Sequence, residues 1–325
     1  MKAIVQDRFG SEDVLELRDV QDPVVGNDDV LIRVHAAGCG PDVWHLMTGL
    51  PYFVRIMPGF RKLRSGPRGR DVAGVVENVG ANVTGFHPGD AVMGIVEGSF
   101  AELAVGRPDT LIAKPERITF EQAAALPISG LTALHAVRDV GRVRPGQRVL
   151  VIGAAGGVGT FTVQVAKALR AHVTGVCSTG KMELIRSIGA DDVIDYTRED
   201  FTASREHYDV IVDTAGRRPV TQLRRALTPK GTLAIVGGEG GGRWTGGFFR
   251  QILRAPLLSL VVGQRLRPVT PAEDHEGLEA LRELVESGAV TPVIDRTYPL
   301  VETADAIGYL EQGHAAGKIV IQVQA

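Results

Sequence analysis

Apolar residues recur with two different periods along this chain, and the change falls near residue 122. Up to that point short apolar runs are broken by glycine and proline: KAIVQ, VLELRDV, DVLIRVHAAG, DVAGVVENVG, DAVMGIV and AELAVG. Segments of this length and spacing are strands. Helical spacing is scarce, so residues 1–122 predict a β-rich domain, strongly curled or barrel-like. From Thr119 the pattern turns helical in TFEQAAALPISGLTALHAVRDV, with interruptions at Pro127 and Gly130. Strands and helices then alternate: RVLVI, a helix to Arg170, HVTGVC, GKMELIRSIG, DDVIDY, YDVIVDTAG, PVTQLRRAL and GTLAIVGG. Helices between apolar strands require parallel pairing with right-handed crossovers, so residues 123–267 predict a doubly wound α/β sheet. Residues 268–325 form a mixed tail of two amphipathic helices and two strands.

The stretch QRVLVIGAAGGVGTFTVQVAKALR, Gln147 to Arg170, sets the chemistry. Val149 to Ile152 form a continuous apolar run, as a strand buried on both faces would. Gly153, Gly156 and Gly159 then stand where a dinucleotide fingerprint needs a tight turn, a close approach to pyrophosphate and a close helix–strand contact. The first amides of the following helix have no partners within it, which makes an anion site.

Composition narrows the class. The 325 residues suit two domains, and a net charge of −2 gives no footprint for nucleic acid or an anionic membrane. The basic run FRKLRSGPRGR, Phe60 to Arg70, reads as a solvated loop, since no aromatic residues interleave it. Cys39 and Cys177 are the two cysteines, too few for a disulfide framework and consistent with a reducing compartment. No signal-peptide core opens the sequence and no apolar run could span a bilayer, so a cytoplasmic location is expected.

The second strand of the α/β part ends at Cys177 and is followed by Ser178-Thr179-Gly180-Lys181. An NAD site usually has an acid there for the ribose 2′-hydroxyl. Hydroxyls and an ammonium suit a 2′-phosphate instead, so NADPH is the expected cofactor. Tyr196, closing the next strand, either flanks the adenine end or is an edge-strand aromatic. No set of histidines and cysteines has the spacing of a catalytic or structural zinc site. Without a Lewis acid, an already electrophilic quinone or enone is an easier substrate than an alcohol or ketone.

Several stretches together resemble the medium-chain dehydrogenase/reductase superfamily, and most of all its zinc-free quinone oxidoreductase (zeta-crystallin-like) branch. They are HAAGCGPDVWHLMTG, PRGRDVAGVVENVG, FHPGDAVMG, AAALPISGLTAL, GAAGGVG, IGADDVIDY and GKIVIQV, in order over nearly the whole chain. The resemblance implies a GroES-like catalytic domain, an inserted Rossmann domain and a C-terminal return to the first. Gly40 and Pro41 stand where zinc-dependent members have Cys-His, and Gly69-Arg70-Asp71 where they have Gly-His-Glu. The zinc-free branch usually has Asn at the place of Gly40 and often Asp at that of Val43, so this chain departs from both patterns.

The resemblance puts Thr132 and Ser129 at the nicotinamide, and Ala155, Gly156, Gly157 and Val158 at the pyrophosphate. It assigns Ser178, Lys181 and Tyr196 to the 2′-phosphate end. Thr214, Ala215, Gly216, Val236, Gly237 and Gly238 line the strand ends, and Val261, Val262 and Gly263 close over the nicotinamide. Trp44 and Tyr52 shape an apolar substrate pocket. His45 is either the proton donor to the reduced substrate or a histidine bonded to backbone. Arg70 is either a donor to developing negative charge or a structural partner of Asp71, the second being favoured. The expected activity is zinc-independent reduction of quinones or α,β-unsaturated carbonyls by hydride transfer from NADPH. Two alternatives stand beside it: a biosynthetic reductase of polyketide-like intermediates, with the loop Gly237–Gly247 enlarging its pocket, and a nucleotide-binding protein without efficient catalysis. The resemblance also implies a homodimer, paired at the edge strand before RLRPV, reached through LLSLVVGQ.

Overall fold

The computed structural model describes residues 1–52, 55, 66–202, 207–237, 255–259, 261–270 and 273–324. The chain divides into two compact units. The first comprises residues 1–129, 273–286 and 292–325, and the second residues 130–272 and 287–291. The sequence pattern put the first change at residue 122. In the structure the first unit also takes in the next helix and the start of another, because Asp71 and Lys318 of that unit hold residues 128 and 129.

The first unit begins with the antiparallel pair β1 (Lys2–Val5) and β2 (Glu16–Asp19). Strand β3 (Val30–Cys39) runs into helix α1 (Pro41–Thr48), and β4 (Asp71–Val79), β5 (Ala91–Ile95), β6 (Leu103–Gly106) and β7 (Leu111–Ala113) follow. Val30, Ile32 and Val34 alternate inward along β3 and join Val72, Val76, Val92 and Leu111 in one apolar cluster. The helix-prone stretch splits in two. Helix α2 (Phe120–Ala124) opens with a capping box from Thr119 and Gln122, and Pro127 starts α3 (Pro127–Leu134), where its missing N–H costs nothing.

The second unit is an all-parallel sheet. Its strands are β8 (Arg148–Ile152), β9 (His172–Cys177), β10 (Asp192–Asp195), β11 (Tyr208–Asp213), β12 (Leu227–Ile235) and β13 (Arg265–Pro268). Helices α4 (Gly157–Ala168), α5 (Met182–Ser187) and α6 (Val220–Leu223) supply crossovers. The spatial order is β10-β9-β8-β11-β12-β13, the doubly wound Rossmann order, with its switch point between β8 and β11. Leu150, Ile152, Ile211, Leu233, Ile235 and Leu266 lie in a common core.

The chain then returns to the first unit through α7 (His275–Glu286), β14 (Ile294–Pro299), α8 (Thr303–Glu311) and β15 (Lys318–Gln322). There the strand order is β14-β15-β3-β4-β5-β7, with β6 also paired to β3. Register brings Ile319 opposite Cys39 and Gly38 opposite Asp71. The start of β15, the end of β3 and the start of β4 therefore meet at one end of the sheet.

Candidate functional site

At the nucleotide end, β8 closes on Gly153, whose φ of +77° is a left-handed conformation that glycine adopts without strain. The turn leads straight into α4, whose N-cap Gly156 offers no side-chain hydrogen bond. A Cβ on Gly159 would stand 2.1 Å from the carbonyl oxygen of Gly153, so this helix packs on its strand only with glycine there. Ala155 is buried, while Gly156, Gly157 and Val158 are half-buried. An uncapped helix N-terminus at a doubly wound switch point fits the pyrophosphate of a dinucleotide.

Next to it, β11 ends in Asp213. The Asp213 carboxylate accepts the amides of Ala215 and Gly216 at 3.2 and 2.9 Å, shaping that turn. Its other oxygen is buried without a partner, and burial pushes the carboxyl up to about 6. The Thr214 hydroxyl donates to the carbonyl of Ile152 at 2.8 Å. Gly237 packs so close that a Cβ would lie 2.3 Å from the Thr214 carbonyl oxygen. Val236 is half-buried, and Gly238 lies outside the described residues. Val261 is exposed, Val262 packs on the core of this unit, and Gly263 follows, exposed.

Ser178, Lys181 and Tyr196 follow the ends of β9 and β10. Asp195 pairs in register with Cys177, and the Tyr196 amide donates to the Cys177 carbonyl at 3.1 Å. Sequence reading passed over Asp195. Its carboxylate accepts from the Thr179 hydroxyl and from the amide and hydroxyl of Thr197, and these bonds hold it below the usual carboxylate range. An acid is present near this position, already occupied by two threonines. Burial pushes the neighbouring Cys177 thiol up to about 11, so it stays neutral.

In the first unit a second polar group was visible only in part. The Asp71 carboxylate accepts the amide of Ile128 at 2.8 Å with one oxygen and the Lys318 ammonium at 3.2 Å with the other. Lys318 also donates to the Ser129 hydroxyl at 3.1 Å. Asp71, Lys318 and Ser129 are 2%, 3% and 4% exposed. Arg70 does not pair with Asp71. Arg70 lies just before β4 and instead reaches Glu273 at 2.7 Å and Glu97 at 3.8 Å. Asp42 folds back over Gly40, where a Cβ would stand 2.6 Å from Oδ1 of Asp42 and 3.5 Å from the Lys318 ammonium. One Asp42 oxygen is buried and unpartnered, and burial together with Asp71 pushes this carboxyl up.

The ring of His45 bonds through Nδ1 to the carbonyl of Leu50 at 2.7 Å, an arrangement in which Nδ1 carries the hydrogen. Trp44 meets it edge-on and packs on the apolar cluster of this unit. Arg55 lies over the Tyr52 ring and donates to the carbonyls of Gly49 and Thr48. Thr132 is buried on α3, three residues after Ser129. Among the described residues no three His, Cys, Asp or Glu side chains come together as a metal site, and no helix is long and apolar enough to cross a membrane.

Comparison with known proteins places the whole arrangement. The alcohol dehydrogenase GroES-like domain matches residues 26–116, and the zinc-binding dehydrogenase family matches residues 188–321. A mitochondrial NAD(P)H oxidoreductase of Bos taurus, RTN4IP1, is 34% identical over 370 residues, covering 99% of this chain and 89% of the relative. This chain belongs to the medium-chain dehydrogenase/reductase superfamily. The superfamily's GroES-like and Rossmann domains are the two units described above. A second relative in it, the 2-methylene-furan-3-one reductase of Solanum lycopersicum, is 33% identical over 99% of this chain and 79% of its own length. The solved quinone oxidoreductase of Coxiella burnetii superposes with a TM-score of 0.88 at 30% identity, covering 100% of this chain and 99% of that one. As a medium-chain dehydrogenase/reductase, the chain is an oxidoreductase with a nicotinamide-type nucleotide site.

Proposed function

We propose that this protein reduces quinones or α,β-unsaturated carbonyls with NADPH, without zinc. One observation supports the reading above the rest: an uncapped α4 N-terminus stands at the switch point between β8 and β11. Gly153, Ala155, Gly156, Gly157, Val158 and Gly159 would hold the pyrophosphate. Ser178, Lys181 and Tyr196 would hold the 2′-phosphate, since Thr179 and Thr197 already occupy the one neighbouring acid, Asp195. The cofactor supplies the hydride, and the chain binds, orients and keeps water away from the reacting carbons. Relatives named as a quinone oxidoreductase and as a reductase of an unsaturated furanone favour this substrate class.

Zinc independence is supported by chemistry at residue 40. The Asp42 carboxyl fills the space of a side chain there, and the Lys318 ammonium stands close by, which repels a dication. Among the described residues no further strand pairs with β13, an edge that suits pairing with a second copy, which light scattering at the mass of two chains would support. NADPH oxidation with 1,2-naphthoquinone and with an enone tests the activity. Turnover that survives prolonged chelation supports the proposal, and tight NADPH binding without turnover of either substrate overturns it.

A further inference from the structure

Asp195 closes β10 at the carboxyl edge of the parallel sheet, in register with Cys177, which closes β9. Dinucleotides bind outside that edge, and the end of the second strand is where an acid would meet a ribose 2′-hydroxyl. Ser178 follows β9 here, and the neighbouring strand β10 ends in Asp195. Both oxygens of that carboxylate are engaged. Oδ1 accepts the amide of Thr197 at 2.9 Å and its hydroxyl at 2.7 Å, and Oδ2 accepts the hydroxyl of Thr179. The Arg198 guanidinium stands 3.6 Å from Oδ2.

The bonds to Thr197 are those of an aspartate capping its own loop two residues on. The bond to Thr179 is additional to that turn. It comes from the turn after β9, Thr179–Lys181, and joins it to the end of β10. Thr179 is exposed while the Asp195 side chain is only 6% exposed, so the threonine is part of what covers the acid from solvent.

We propose that Thr179 is a specificity-determining residue for the 2′-phosphate: its hydroxyl occupies the Asp195 oxygen that would otherwise accept from a ribose 2′-hydroxyl. The inference rests on the NADPH reading above and names what enforces it. A carboxylate with an open oxygen at this edge would bind a ribose hydroxyl and repel a 2′-phosphate. Saturated by hydroxyl and amide donors, it offers the ribose no acceptor, and Arg198 offsets part of its charge. The Cys177 thiol feels burial first, then Asp195, which raises its hold on the proton, and Lys181, which lowers it. The acid and the ammonium therefore act on the same strand end. Residue type alone does not set the preference there, because an acid is present and its availability is what Thr179 controls.

The test measures nucleotide binding by the full chain and needs no turnover. Parent protein should bind NADPH about tenfold or more tightly than NADH. Thr179→Ala removes the hydroxyl and opens the space over Oδ2. It is expected to tighten NADH and weaken NADPH, shifting the ratio of their Kd values by about tenfold. Adenosine 2′,5′-bisphosphate and adenosine 5′-monophosphate differ by the same phosphate and should show the same shift in calorimetry. Thr179→Ser keeps the donor and should keep the parent ratio, while Thr179→Val fills the space without a donor and should give NADH no gain. Thr179→Ala/Asp195→Asn should lose most of the NADH gain, which separates the acid's charge from a general loosening of the loop. A parent that prefers NADPH, with a Thr179→Ala ratio within about twofold of its own, overturns this inference and leaves the NADPH reading intact. A Thr179→Ala variant that weakens both nucleotides equally assigns the threonine to holding the loop alone, which also overturns it. A parent with equal affinities for the two nucleotides removes the NADPH reading and this inference together.

Discussion

The two polar centres of this protein are built in opposite ways. The nucleotide end draws its main elements from one loop, Gly153 to Gly159, and from turns that follow β11 and β12. Its donors are backbone amides, which need glycine for close approach and no charged partner. The Lys318 centre takes Asp42, Asp71, Ser129 and Lys318 from four separate stretches and relies on charged side chains. Two of the buried aspartates show the consequence. Asp71 is matched by an ammonium, whereas Asp213 has only two amides and one unpartnered oxygen and is pushed up to about 6. A backbone-built site tolerates loss of one side chain, and a charge-built site does not.

The largest expected effect is at Lys318. Lys318→Met leaves the Asp71 carboxylate buried and unpaired and should cost about 3–5 kcal/mol in urea unfolding. Adding Asp71→Asn should recover more than half of it. Equal losses for the single and pairwise variants would erase the contrast between the two centres.

Asp213 comes next, and its effect depends on pH. Its folded value of about 6 lies above the ordinary 3.8, so the folded state holds the proton more tightly. Stability should therefore fall as pH rises from about 4 to about 6, by roughly 3 kcal/mol at about 1.4 kcal/mol per unit, and stay lower above that. Asp213→Asn should flatten this slope in denaturant titrations at each pH, and a parent with no decline across that window would contradict the burial argument.

Lys181→Ala sharpens the nucleotide side. An ammonium–phosphate contact is worth about 1.5–3 kcal/mol, so the variant should lose about tenfold or more in NADPH affinity and almost none for NADH. Equal affinities of the parent for the two nucleotides would end the 2′-phosphate assignment.

The smallest effect is expected at His45. With Nδ1 held by the Leu50 carbonyl, His45→Ala should cost about 0.5–1.5 kcal/mol of stability through that hydrogen bond. If His45 also donates the substrate's proton, enone turnover should drop about 10²-fold. An unchanged rate leaves His45 with its backbone bond alone.

By itself the sequence determined the doubly wound sheet and its nucleotide loop, because glycine spacing, buried strands and the helix after them are neighbours in the chain. What it could not reveal was which charges meet. Arg70 and Asp71 are adjacent in sequence, yet they meet different partners, Glu273 and Lys318. Asp42 stands in the first turn of α1, where Gly40 leaves room for its carboxyl. Lys318 opens β15, and only the pairing of β15 with β3 and of β3 with β4 carries it to Asp71, 247 residues away. Such contacts depend on register between distant strands, and register is fixed by the packing of the whole sheet.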